Sequence, residues 1–156
     1  MKIKRIDYDE WTFYINIHKT DELTDKNCGK WLYFFNSGKD DLKFVEKICK
    51  KAIREKVVIE VKHTREFITY FRKSGVCCFY CNIDDVVTHK KIIEFFMRND
   101  MIQRKANGEY YNIAYKYEEQ SDNNEYTPNF IAKIYLSMFI DLKTGQWKDD
   151  IRLPSK

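Results

Sequence analysis

Residues 31–61 read WLYFFNSGKDDLKFVEKICKKAIREKVVIEV, and three different periodicities follow one another within them. Trp31-Leu32-Tyr33-Phe34-Phe35 is short, aromatic and bounded by Gly29 on one side and Asn36-Ser37-Gly38 on the other, which suits a buried strand. From Asp40 to Lys56 the apolar residues Leu42, Val45, Ile48, Cys49, Ala52 and Ile53 recur at spacings of three and four, so a helix presents them on one stripe. Lys43, Lys47, Lys50, Lys51 and Arg54 fall largely on its other side, and Ser37 or Asp40 is the expected cap. Val57-Val58-Ile59-Glu60-Val61 is β-branched and predicts a second strand, ending at the polar cluster Lys62-His63-Thr64-Arg65.

Outward from this unit the alternation of strand and helix continues. Glu66 to Lys73 fits no single period. Val76-Cys77-Cys78-Phe79-Tyr80-Cys81 is apolar on both faces, as a central strand is. Asp84-Asp85 then offers a cap and an acidic first turn to a helix carrying Val86, Val87, Ile92, Ile93, Phe95 and Phe96 and ending near Asn99. Tyr110 to Tyr117 alternates as a strand, a polar loop runs from Glu118 to about Asn129, and Ile131 to Ile140 fits strand and helix equally. Strand, helix, strand, strand, helix, strand implies an α+β fold, with helices packed mainly on one face of the sheet.

The 156 residues, 44% hydrophobic and 16% aromatic, match one globular core, so residues 1–156 are expected to form one domain, with 1–26 and 148–156 peripheral. Lys plus Arg exceed Asp plus Glu by 28 to 24, a net charge of +4, which permits an anionic partner without demanding one. No apolar stretch approaches the roughly 18–20 residues of a membrane span, and the basic start lacks the apolar run of a secretory signal. Five cysteines, three of them inside one apolar run, do not form a disulfide framework. These features together predict a cytoplasmic protein with no membrane partner.

Cys78-Phe79-Tyr80-Cys81 has the spacing of a metal or redox pair, but no second ligand pair accompanies it and a strand turns the two thiols to opposite faces. Buried structural cysteines are the expectation, with no metal and no cofactor. Lys62-His63-Thr64-Arg65 is the most suggestive tetrapeptide: Lys62 and Arg65 can hold a phosphate by charge-assisted hydrogen bonds, and His63 can move a proton near neutral pH. The plainer reading is a solvated strand end whose charges keep an edge soluble. His18 and His89 lack close polar company of the type a catalytic histidine needs and read as surface histidines. The basic residues Lys43, Lys47, Lys50 and Arg54 either face RNA or an acidic protein, or are simply a helix's wet side. No GxGxxG, phosphate-binding P-loop, nucleophile elbow or HExxH occurs, which removes support for most large enzyme classes.

Three pieces carry a resemblance over residues 27 to 126: Gly29-Lys30-Trp31 opening an aromatic strand, Val57 to Thr64 ending in Lys-x-Thr, and Tyr115-Lys116 followed by Tyr126. In order and spacing they resemble the Bles family (basophilic leukaemia expressed protein), whose members are labelled phosphothreonine-lyase-domain proteins. The resemblance implies a fold similar to the cap-binding translation initiation factors, a curved and mainly antiparallel sheet backed by helices. It also implies a polar site at Lys30, Lys62, Thr64, Lys116 and Tyr126. The two tryptophans and acidic neighbour with which those factors grip a cap are not placed here, so cap binding is not carried over. A lyase of the kind named would use Lys62 as base and His63 as acid, although neighbours on a strand point oppositely.

The expectation is a domain that binds a phosphorylated small molecule, nucleotide or phosphopeptide, with Lys62, Arg65 and Lys116 supported by aromatics. A lyase using Lys62 and His63, and an interaction module using the basic helix, are the alternatives.

Overall fold

The computed structural model describes residues 2–19, 22–23, 27–117 and 133–154. Seven strands, β1 (Ile3–Tyr8), β2 (Trp11–Asn16), β3 (Cys28–Asn36), β4 (Glu60–Thr64), β5 (Ser74–Asn82), β6 (Ala114–Tyr117) and β7 (Ile134–Tyr135), lie in the order β1-β2-β4-β5-β3-β6-β7. Three helices accompany them: α1 (Lys39–Arg54), α2 (Glu66–Arg72) and α3 (Val86–Arg98). The fold is therefore α+β, with an open antiparallel sheet. Two compact units divide the chain, one made of Met1–Glu22 with Leu32–Tyr80 and the other of Leu23–Trp31 with Cys81–Lys156.

In the first unit, β1 and β2 form a hairpin that turns at Asp9-Glu10, Asp9 taking the left-handed conformation (φ 55°) that such tight turns need. β2 then pairs antiparallel with β4, Trp11 opposite Thr64 and Ile15 opposite Glu60. This pairing carries the strand past its expected end: the Lys62-His63-Thr64 cluster lies inside β4, while Val57 and Val58 are buried in the turn after α1. A sequence window sees only the β-branched run, whereas pairing with Trp11, 53 residues before Thr64, decides where the ladder stops. The sequence reading also left residues 3–16 unassigned, although in β2 Thr12, Tyr14 and Asn16 are buried and their neighbours Trp11, Phe13 and Ile15 only partly so.

Helix α1 lies where its period placed it and buries Val45, Ile48, Cys49, Ala52 and Ile53 against the sheet. Its cap is the extended backbone of Gly38, with no side-chain bond, instead of Ser37 or Asp40; Asp40 and Asp41 occupy the first turn, where the helix dipole favours them. Cys49 and Cys77 meet in the core as free thiols with sulfurs 3.3 Å apart. The ambiguous Glu66–Lys73 segment is the short helix α2, stopped by Lys73 in a left-handed conformation (φ 64°).

In the second unit, α3 is capped by Asp85, whose carboxylate accepts from the Thr88 N–H at 3.1 Å, as expected, whereas the expected acidic first turn is absent because both aspartates precede the helix. Strand β6 is shorter than expected: Tyr110 makes only an isolated bridge to Arg104, and regular pairing starts at Ala114. The equivocal segment 131–140 divides, with Ile134–Tyr135 pairing to β6 and Leu136–Met138 winding into a 3-10 turn. Cys49, Cys77, Cys78 and Cys81 are buried and form no disulfide.

Candidate functional site

Strand alternation sorts the side chains of β4. Asp7 pairs with Thr12, Thr12 with His63, and His63 with Cys77, so these four make one row across the sheet on the α1 side. Lys62 pairs with Phe13 and Cys78 and points the other way, its ammonium 3.9 Å over the Trp11 ring and 5.6 Å from the rings of Phe13 and Tyr80. That is a cation held on an aromatic surface. Lys62 and His63 thus face opposite sides of β4 and do not converge on one substrate.

On the α1 side the row opens into a cleft of about 510 Å³, a size suited to a small ligand. His63, Thr12 and Asp7 line it from the sheet, Glu46 from α1, and Arg5 from β1. Arg65, Glu66, Phe67 and Tyr70 complete it from the start of α2. Arg65 is clamped to the β1–β2 turn: its backbone N–H donates to the Glu10 carbonyl at 2.9 Å and its guanidinium to the Asp9 carbonyl at 3.1 Å. Arg72 pairs with Glu10 at 2.9 Å and fixes the other end of the helix. Phe67 and Tyr70 are 56% and 74% exposed, an apolar ledge beside a charged cleft.

The Asp7 carboxylate accepts from Thr12 Oγ1 at 2.6 Å and pairs with Arg5 at 3.5 Å. The Thr12 hydrogen bond, helped by Arg5 and Arg65, holds its pKa below the usual carboxylate value. His63 is only 1% exposed, and its Nδ1 lies 2.8 Å from the Thr64 carbonyl oxygen. A carbonyl only accepts, so Nδ1 carries the proton and Nε2 presents a lone pair. Burial pushes the pKa of this ring down, which keeps it neutral at physiological pH. Nε2 and the neighbouring Tyr14 hydroxyl are buried and have no hydrogen-bond partner among the described residues. Burial raises the Tyr14 phenol to about 12. His63 is therefore neither a solvated strand end nor a satisfied core histidine.

The other expected positions scatter or are committed elsewhere. Thr64 uses its hydroxyl within the sheet, accepting from the Val76 N–H at 3.0 Å and donating to the Val76 carbonyl at 3.3 Å. Lys30, which is buried, and Lys116 face each other across β3 and β6 in the second unit. Tyr126 lies outside the described residues. On α1, Lys43, Lys47 and Arg54 are exposed and Lys50 is half-buried. Of the expected residues the cleft holds His63 and Arg65; Arg5, Asp7, Thr12, Glu46, Glu66, Phe67 and Tyr70 were not legible as site residues. Only the alternation of Trp11 to Asn16 beside Asp9-Glu10 could have signalled the hairpin that delivers three of them.

His89, which the sequence placed at the surface, is wholly buried in the second unit. Its Nδ1 accepts from Trp31 Nε1 at 2.9 Å and its Nε2 donates to the Ile83 carbonyl at 3.0 Å, so both nitrogens are satisfied and the residue is structural. Burial lowers its pKa as well. Both imidazoles thus refuse protons that the unfolded chain accepts. Their contribution to stability is intact above about pH 6.5, the unfolded histidine value, and is lost as the pH falls from there through the folded-state pKa values. Urea unfolding should show a falling midpoint from about pH 7 to about pH 5, with a shallower fall for His89→Gln. An equal slope in the variant would remove His89 from this account.

Among the described residues no group of three or more His, Cys, Asp or Glu is placed to hold a metal ion, and no helix is long and apolar enough to cross a membrane. Comparison with protein-family models, curated proteins and solved structures finds no match to this chain.

Proposed function

We propose that the chain binds a small phosphorylated or nucleotide-like ligand in the cleft between the β1–β2–β4 sheet, α1 and α2. The observation that carries this is that Arg5 and Arg65 line one cleft with the buried imidazole of His63, beside an exposed aromatic ledge. Guanidinium groups bind phosphate oxygens in paired, charge-assisted hydrogen bonds, and Arg65 is already oriented by its bonds to the hairpin turn. Phe67 and Tyr70 offer flat apolar area to a base or another ring. Membership of the Bles family belongs to the same proposal and rests on the three short motifs quoted above. The roles assigned by that likeness to Lys62 and Lys116 pass here to Arg5 and Arg65.

A ligand that binds only the folded state raises its melting temperature by mass action. A panel of inorganic phosphate, alkyl phosphates, phosphorylated amines and nucleoside monophosphates should contain members that shift the unfolding temperature, and Arg65→Ala should abolish the shift. Lys62→Ala, on the other face of β4, should leave it unchanged. If no member of the panel shifts the unfolding temperature, or if Lys62→Ala abolishes the shift while Arg65→Ala does not, the cleft is not the site.

A further inference from the structure

We infer that the solvent face of α1 is a docking surface for the sugar-phosphate backbone of a nucleic acid, a partner separate from any ligand of the cleft. Lys39, Lys43, Lys47, Lys50 and Arg54 follow one another along the helix at spacings of three and four residues. At 3.6 residues per turn they fall within an arc of about 80°, and at 1.5 Å per residue they make a row about 22 Å long. The row lies opposite Val45, Cys49 and Ala52, which are buried, so the packing of α1 against the sheet turns these cations to solvent. Four of them are exposed and Lys50 is half-buried.

The sign pattern sets this row apart from the wet side of an ordinary helix. Such a face mixes charges at spacings of three and four, because opposite signs there stabilise a helix and like signs destabilise it. Here every successive pair along the row is a like-charge pair, and among the described residues none of the five has a salt-bridge partner. The carboxylates of α1 lie elsewhere: Glu46 lines the cleft, the Asp41 carboxylate sits against Gly38 at the helix start, and Asp40 stands at the margin of the row in the first turn. Lys51, just outside the row, shows the ordinary arrangement, pairing with Glu55 at 3.9 Å.

The composition of the row selects the partner. Protein–protein interfaces are centred on buried aromatic or aliphatic anchors and are depleted in lysine. This arc holds four lysines, one arginine and no apolar side chain. Contacts to a phosphate backbone need only cations in line, and nucleic-acid interfaces are accordingly positive and polar.

Fluorescence anisotropy with a labelled oligouridylate of about 20 nucleotides, starting from about 50 mM salt, tests this. Five phosphate contacts at about 0.7 each give a slope of log affinity against log salt of about −3.5. Lys43→Gln, Lys47→Gln and Arg54→Gln together should weaken binding at least about tenfold and make the slope shallower by about 2. Glutamine matches lysine and arginine in helix propensity, so urea unfolding should show a midpoint no lower than the parent's. The charge-preserving set Lys43→Arg, Lys47→Arg and Arg54→Lys should bind as the parent does. Lys90→Gln, Lys91→Gln and Lys105→Gln, an equal loss of charge off the row, should leave affinity and slope unchanged. A duplex of the same length identifies the source of the phosphates: tighter binding of the duplex assigns a paired backbone, and tighter binding of the single strand an unpaired one. Polyglutamate of equal length bound as tightly as the oligonucleotide would reassign the row to an acidic protein and overturn the nucleic-acid partner. No binding of either nucleic acid, or equal losses from the two glutamine sets, overturns it as well. None of the substituted residues lines the cleft, so any thermal shift caused by small phosphates should persist in the α1 variants.

Discussion

Replacing Trp31 with alanine is expected to lower the free energy of unfolding by about 3–5 kcal/mol, the range for deleting a buried large aromatic. Against the roughly 5–15 kcal/mol that holds a typical domain folded, that is a large share. Trp31 is wholly buried in the second unit, with the rings of His89, Tyr115 and Phe139 at centroid distances of 6.0, 5.9 and 6.0 Å, two of them edge-on. Alanine removes these contacts and also the indole N–H that satisfies His89 Nδ1. The two losses separate experimentally. Trp31→Phe keeps much of the ring area but leaves His89 Nδ1 only the weaker Cys81 thiol at 3.6 Å, a penalty of about 1 kcal/mol. Urea unfolding of both variants gives the numbers, and a Trp31→Ala cost near 1 kcal/mol would show that the aromatic cluster does not hold this unit together.

Gly29→Ala should cost about 3 kcal/mol, at the upper end of the range for overpacking. The backbone of β3 at Gly29 lies so close to β6 that an added Cβ would sit 2.4 Å from the Tyr115 ring and 2.6 Å from the Lys116 carbonyl oxygen. The ring cannot simply swing aside, because its hydroxyl donates to the Cys81 carbonyl at 2.7 Å inside the core. The carbonyl belongs to the strand ladder itself. Relief therefore demands that β3 and β6 separate, and thermal unfolding should fall by several degrees. A melting temperature within a degree of the parent would mean that the strands accommodate a methyl group and that the close approach is not needed.

These two positions also show what a sequence reader could and could not find. Trp31 was legible as core, because an aromatic run bounded by glycine and Asn-Ser-Gly has few other readings. Its bond to His89 was not legible, because the two residues are separated by 58 positions and nothing in the residues around His89 marks it as a partner for an indole. Gly29 was legible as a boundary residue only; its role as the point where two strands touch depends on the register of Lys30 with Lys116.

The candidate site divides in the same way. The tetrapeptide Lys62-His63-Thr64-Arg65 was singled out for its chemistry, and two of its members do line the cleft. The other two are turned elsewhere by the pleat, Lys62 onto Trp11 and Thr64 into the ladder with Val76. Arg5, Asp7, Thr12 and Glu46 carry no local signature at all. They reach His63 because a hairpin near the start of the chain pairs with β4 and because α1 packs across both.

What the sequence determined by itself is the order and type of the elements from β3 to β6, α2 excepted, since helix and strand periods are local properties written into a dozen residues at a time. It also determined the buried cysteines without disulfides and the capped start of α3. What only the tertiary structure decided is which side chains share a surface. Pairing between distant strands sets register, and in a strand of period two a shift of one residue exchanges the faces entirely. The placement of His63 in the cleft and of Lys62 on the opposite side is fixed by Thr12 and Phe13, residues about fifty positions away along the chain.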